Sequence, residues 1–249
     1  MEVNNFDYNK YYKKISHIYN DIRLDAPNDF QMTIDIIIEY TQQNKKKLLD
    51  IGCGTGKYGQ ALIQKGFDVI GIDKSPSQIS EAKKLINAQE GNAIDLPYKS
   101  ESFDVCIMIM MIHHMNQKER ALAFDEIYRV LKKDGVLIIK TASHEDLKHR
   151  ISSRFFPEAL KIDLKRYPKI ETIQDELSKF KNCRVKHTIS TSIFDKSEMI
   201  QKLSMRRTSN LGMISENSLK EGIHRFKETY LTQETIEKEN YNTFIIVQK

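Results

Sequence analysis

The apolar run Leu48–Ile51 ends in three glycines spaced two apart, Gly52, Gly54 and Gly56, in the stretch LLDIGCGTGKYG. Glycine adopts positive φ freely, and its missing Cβ lets a ligand or another backbone come close. A short apolar run that stops in a bare turn reads as a buried strand feeding a helix. In an open α/β sheet that is where ligands bind, beyond the carboxyl ends of the strands. Two familiar phosphate loops do not fit. A dinucleotide fingerprint needs G-x-G-x-x-G, and here Lys57 stands where the third glycine belongs. A Walker loop needs a hydroxyl residue after its lysine, and Lys57 is followed by Tyr58.

The pattern continues as strand, helix, strand. Residues 46–51, 67–73, 103–111 and 136–142 read as buried strands, with AQEGNA as a weaker one before the third of these. Between them lie helical stretches. One runs from Lys57 to a stop at Gly66, and another opens at Ser75 and Pro76, a good N-cap followed by a good first position. A third, 117–132, carries Leu122, Ile127, Val130 and Leu131 on a stripe. Alternation of this kind predicts a parallel sheet with helices on both faces. After Ala142 the pattern turns helical and irregular.

Composition narrows the class. A chain of 249 residues, 40% hydrophobic and 29% charged, is globular rather than disordered. No apolar run reaches membrane-spanning length, and MEVNNFDYNK has no secretory pattern, so a cytoplasmic protein is expected. Cys53, Cys106 and Cys183 are scattered, which disfavours a disulfide framework or a clustered zinc site. The net charge of +5 comes largely from dispersed lysines. No dense basic stripe with interleaved aromatics marks a nucleic-acid surface, and an anionic small substrate fits the same charge.

Asp50 precedes the glycine turn and Asp73 ends the second strand, where a carboxylate can accept bonds from ribose hydroxyls. With these, DIGCGTG, GID, GNAIDLPY, FDVCIMIMMIHHM and RVLKKDG follow in order between residues 46 and 141. In this the chain resembles the class I S-adenosylmethionine-dependent methyltransferases, particularly the branch with the ubiquinone and menaquinone biosynthesis enzymes. The resemblance implies a Rossmann-like, doubly wound α/β fold. Its seven-stranded sheet would be mostly parallel, with the last strand antiparallel and helical lid insertions. It implies one methyltransferase domain over 1–249, with a helical cover at 1–44 and a cofactor core at 45–142. Lid segments would fall at 143–182 and 195–232, and closing strands at 183–192 and 241–249.

The resemblance also implies roles. Gly52, Cys53, Gly54 and Gly56 would let the backbone approach the cofactor, S-adenosylmethionine, which leaves as S-adenosylhomocysteine. Asp50 would face its amino group, and Asp73, with Lys74 beside it, would hold the ribose. Asn92 and the Ala93 amide would read the adenine. Many relatives carry aspartate where Asn92 stands, so retuned adenine recognition is expected. Met108 and Ile109 would offer backbone contacts to the methionine moiety. In IYNDIR, Tyr19 and Arg23 match positions that cover the cofactor.

Methyl transfer is an in-line displacement that needs a positioned nucleophile and excluded water. His113 and His114 are the candidate bases, His113 preferred, though a histidine pair here also serves to cap or pack the next helix. Tyr11, the apolar Phe155 and Phe156, and the basic Arg154 and Arg206 are expected to line an acceptor pocket, with Arg150 and Arg166 as further anchors. No metal is expected, because His144, Glu145 and Asp146 are too close in sequence to converge on one ion. The absence of an N/D-P-P-Y motif and of a Pro-Cys nucleophile disfavours base-amine and cytosine-C5 chemistry. The expected reaction is methylation of O, N or C on a small organic acceptor. The alternatives are a tRNA or rRNA methyltransferase, and a silent cofactor-binding relative.

Overall fold

A computed structural model describes residues 7–15, 27–41, 46–206 and 208–249. Seven strands form one sheet in the order β3-β2-β1-β4-β5-β7-β6. They are β1 Lys47–Ile51, β2 Asp68–Asp73, β3 Asn87–Glu90, β4 Phe103–Ile109, β5 Leu131–Thr141, β6 Lys181–Asp195 and β7 Thr235–Gln248. The first five pair in parallel, while β7 runs antiparallel to both β5 and β6. This is the doubly wound, mostly parallel sheet with one antiparallel strand that the sequence predicts.

Burial on both faces explains why the first strands read as apolar runs. Side chains alternate across a strand, so Leu49, Ile51, Cys106 and Met108 enter one core. Leu48, Val105 and Ile107 enter the opposite one. Helix α5, Gln117–Val130, contributes Phe124 and Ile127 to the first core. Helices α2, Pro27–Thr41, and α3, Lys57–Gln64, contribute Ile34, Ile37 and Leu62 to the second. Each fully buried aliphatic side chain of this kind contributes about 1.5–3 kcal/mol. A buried ion pair ties α2 to the sheet: Lys140 Nζ on β5 lies 2.7 Å from Asp29 Oδ2.

Two expected boundaries shift. KKDG does not separate helix from strand. The strand already begins at Leu131 and absorbs these residues in a bulge, where the partner of Phe103 is Leu131 and that of Val105 is Val136. The outer strands β6 and β7 extend well past the predicted 183–192 and 241–249, because their half-exposed ends carry polar residues and no apolar run.

The helices after β5 form a cap. The remaining ones, in chain order, are α1 Tyr8–Ile15, α4 Pro76–Ala82, α6 His144–His149, α7 Ile151–Phe155, α8 Pro157–Arg166, α9 Ile170–Glu176, α10 Lys196–Ser204, α11 Ser209–Met213 and α12 Glu216–Thr229. Phe155, Phe156, Met199, Leu203, Leu211 and Phe226 share one core built from both insertions. The contact is close: a Cβ on Gly222 would fall 2.2 Å from the Phe156 ring. No described helix is long and apolar enough to cross a membrane.

Candidate active site

Strand order reverses about β1, which lies between β2 and β4, so a crevice opens at the carboxyl ends of β1 and β4. The glycine turn occupies it. Gly52, Gly54 and Gly56 have φ of 71°, 55° and 83°, a left-handed run that only glycine adopts without strain. Gly52 is bare for a second reason, since a Cβ there would meet Met111 Sδ at 2.8 Å. Gly56 packs elsewhere: it precedes α3, and its added Cβ would press on Ile86 and Ala82 rather than on the crevice.

The turn is held by the strand beside it. The Gly52 and Cys53 amides donate to the Ile72 carbonyl at 2.7 and 3.1 Å. The Gly54 amide donates to Asp73 Oδ2 at 3.0 Å, and the Ser75 amide to Asp73 Oδ1 at 2.9 Å. A carboxylate has about four lone-pair sites, so Asp73 keeps acceptor capacity for a ligand. Burial raises its pKa, while those two amides pull it back. Asp50 is more extreme. It is 1% exposed, and its Oδ2 has no hydrogen-bond partner. Burial first, and the charge of Asp73 second, push its pKa up to about 7. A buried carboxyl with an open acceptor is a site for a cation. Burial likewise pushes the Cys53 thiol up, so this cysteine is no nucleophile.

Asp50, Gly52, Cys53, Gly54, Asp73, Lys74, Asn92, Ala93 and Ile109 all line this first cavity. Asn92 turns its amide oxygen to the Ile94 N–H at 3.3 Å. Gln78, which the sequence reading passed over, also lines it, with a buried Oε1 that has no partner. Met108 does not line it; its side chain is fully buried in the core. Tyr19 and Arg23 lie outside the described residues.

The comparisons with known proteins agree with this geometry. Residues 49–139 match the family model "Methyltransferase domain". The chain is 33% identical to ajmaline N-methyltransferase of Rauvolfia serpentina over 43% of this chain and 39% of that protein. It is 31% identical to a Xenopus tropicalis tRNA (carboxymethyluridine(34)-5-O)-methyltransferase over 44% of this chain and 18% of that one. A Haemonchus contortus phosphoethanolamine N-methyltransferase 2, solved with S-adenosylmethionine, shares the fold. The TM-score is 0.64 at 19% identity, over 100% of this chain and 60% of that one. Residues 49–139 form a methyltransferase domain of the class I S-adenosylmethionine-dependent type. The chain spans less than two fifths of the two curated relatives named above. Their names cover unlike acceptors and do not select the quinone-biosynthesis branch.

A methyltransferase domain of this class takes S-adenosylmethionine as its cofactor, and the first cavity suits that molecule. The unpartnered oxygen of Asp50 fits an ammonium group, and the bare left-handed turn fits close approach of a ligand.

A second cavity adjoins the first through Met110 and His114, which line both. Met110 follows β4 with φ of 53°, a strained value for a side-chain-bearing residue. Its amide donates to the Lys140 carbonyl at 2.9 Å. His113 and His114 form a 3₁₀ turn, Ile112–His114. Burial, then the charges of Arg166 and Lys74, hold His114 down to about 3, so it stays neutral. The His113 ring stacks on Tyr167 with centroids 4.1 Å apart, and its Nε2 lies 3.5 Å from the Tyr167 hydroxyl. Arg150 Nη1 donates to that same hydroxyl oxygen at 3.1 Å. Arginine only donates, which leaves the phenolic proton for His113 Nε2.

Tyr11 lines the second cavity, as expected. Arg150, expected as a further anchor, lines it too, but Phe155, Phe156, Arg154, Arg166 and Arg206 do not. Phe155 and Phe156 are buried in the cap core, because their rings face α12 rather than the sheet. Arg154 is exposed, with its guanidinium over the Phe155 ring. Arg206 is spent on the cap itself, donating to the Leu211 and Ile214 carbonyls and pairing with Glu216. Beside Arg150 the cavity has Ser152, Asp163, Tyr167 and Asn210. One local signal was present: Asp163 and Tyr167 stand at i and i+4, on one face of a helix that ends between them. Among the described residues no His, Cys, Asp or Glu cluster could hold a metal ion.

Proposed function

We propose that this methyltransferase moves a methyl group from S-adenosylmethionine to O, N or C of a small organic acceptor seated in the second cavity. The observation that carries this reading is the meeting of the two cavities at Met110 and His114. Bound in the first cavity, the cofactor supplies a sulfonium methyl that a nucleophile displaces in line. Asp50 takes its ammonium group, Asp73 its ribose hydroxyls, and Asn92 with the Ala93 amide its adenine. Asn92 can still accept through its amide oxygen, because the Ile94 N–H takes only one of its two lone pairs.

At the junction, neutral His114 accepts or donates a hydrogen bond but is too weak a base to hold a proton at neutral pH. Where the acceptor atom must lose a proton, His113 Nε2 is the base placed to take it, once the Tyr167 hydroxyl that donates to that nitrogen gives way.

The names of the ajmaline and phosphoethanolamine enzymes favour a small acceptor. The name of the tRNA enzyme supports the second reading, a nucleic-acid acceptor. Labelled methyl transfer separates them. The chain is incubated with methyl-labelled cofactor and either a metabolite extract or total RNA. Label in the small-molecule fraction is the expected result, and His113→Ala should slow it. Label in RNA alone would support the second reading. Cofactor binding with no labelled product in either pool would mark a silent relative.

A further inference from the structure

The charged groups of the second cavity are unevenly satisfied. Lys140 is paired with Asp29 at 2.7 Å, and Asn242 donates to the other oxygen of Asp29 at 2.7 Å. Asp163 is held by Asn210 at 2.7 Å and by Arg166 at 3.4 Å. Glu239, at the exposed rim, accepts from the Tyr241 hydroxyl at 2.6 Å. Arg150 differs from all of these. Its one side-chain hydrogen bond goes to a neutral phenol, Tyr167, at 3.1 Å. Its nearest carboxylate, Asp163, is 3.8 Å away, beyond hydrogen-bond reach, and already engaged. Nε and Nη2 of Arg150 have no protein partner among the described residues, yet only 25% of the side chain is exposed.

A guanidinium whose ion partner stands off at 3.8 Å, with Nε and Nη2 unbonded, keeps donors for a further anion. Its planar fork matches the two oxygens of a carboxylate or phosphate. Stacking over the Tyr167 ring, 5.1 Å from the centroid, fixes that fork in place. Tyr167 also reaches His113 at the junction, so a group held by Arg150 lies one aromatic ring from the histidine turn.

We propose that the methyl acceptor carries an oxyanion, a carboxylate or a phosphate, that binds Arg150, leaving its nucleophilic end to face Met110 and His114. This inference rests on the proposed methyl transfer, which places the acceptor in this cavity.

Two measurements test it, and the first needs no turnover. Inorganic phosphate and acetate are titrated separately into the full chain saturated with S-adenosylhomocysteine, and binding is read by calorimetry. Saturable binding of at least one anion is expected, weakened at least tenfold in Arg150→Gln and unchanged in Arg154→Gln. The anion that binds more tightly names the acceptor's charged group. Arg150→Lys, which keeps the charge but loses the fork, should retain part of the binding and guards against a folding defect. Absence of binding by both anions, or equal binding in Arg150→Gln, would overturn the proposal.

In the second measurement the metabolite extract is fractionated by anion exchange before incubation with labelled cofactor. Label in the retained fraction, with a raised KM and an unchanged cofactor Kd in Arg150→Gln, is expected. Label confined to the unretained fraction would overturn the oxyanion while leaving methyl transfer intact. Label in no fraction would count against methyl transfer, and the anion titration would still decide the Arg150 site.

Discussion

Asp73 Oδ2 accepts the Gly54 amide at 3.0 Å, so the carboxylate proposed to hold the ribose also fastens the glycine turn. Replacing it acts twice. Asp73→Ala is expected to weaken S-adenosylmethionine binding by about 1–3 kcal/mol, the range for leaving polar partners unmet. It should also lower the Tm of the unliganded chain, because the Gly54 and Ser75 amides lose their acceptor. Calorimetric titration and a thermal melt on the same sample check both. A normal dissociation constant would remove the ribose role.

Asp50 gives a pH dependence whose sign is fixed. Folding raises its pKa from 3.8 to about 7. Between those values the folded chain keeps a proton that the unfolded chain has released. The stability contributed is therefore full below about pH 4 and is lost as pH rises toward 7. Urea midpoints of the unliganded chain should fall over that window, and Asp50→Asn should flatten the slope. Cofactor binding should run the other way. An ammonium group favours the ionised carboxyl, so affinity should rise with pH up to about 7, with proton release seen as buffer-dependent heats.

Gly52 combines a positive φ with a crowded Cβ position. Gly52→Ala should cost about 1–2 kcal/mol from the left-handed backbone alone, with a further loss from the clash at Met111 Sδ. Adding Met111→Ala should recover only the steric part. Full recovery in the double variant, read as Tm, would contradict the backbone argument.

The Lys140–Asp29 pair joins the sheet to α2 beside the second cavity. Lys140→Met would leave a buried carboxylate whose remaining side-chain donor is Asn242. A loss of about 3–5 kcal/mol in denaturant unfolding is expected. The double change Lys140→Met, Asp29→Leu should restore much of it.

The cofactor cavity was legible because its parts are local. Gly52, Gly54, Asp50 and Asp73 all sit at strand ends that announce themselves as short apolar runs. The strand Asn87–Glu90 was faint because only Ala88 of its four residues is buried, so almost no apolar pattern is written there. The second cavity was legible only in part. Tyr11, His113, Asp163 and Asn210 lie on four separate elements, and Arg150 and Tyr167 in the turns that follow helices. Apart from Asp163 and Tyr167 at i and i+4, nothing in local spacing brings them together. Phe155 and Phe156 misled for a related reason. An aromatic pair reads the same whether it walls a pocket or fills a core, and here Gly222 decides the matter by admitting the Phe156 ring.

The most direct test of the whole account is calorimetric titration of the chain with S-adenosylmethionine and, separately, with NAD. Binding of S-adenosylmethionine in the micromolar range, about −8 kcal/mol, with no heat from NAD, is the predicted result. No binding of S-adenosylmethionine, or binding of NAD that Asp73→Ala abolishes, would contradict it.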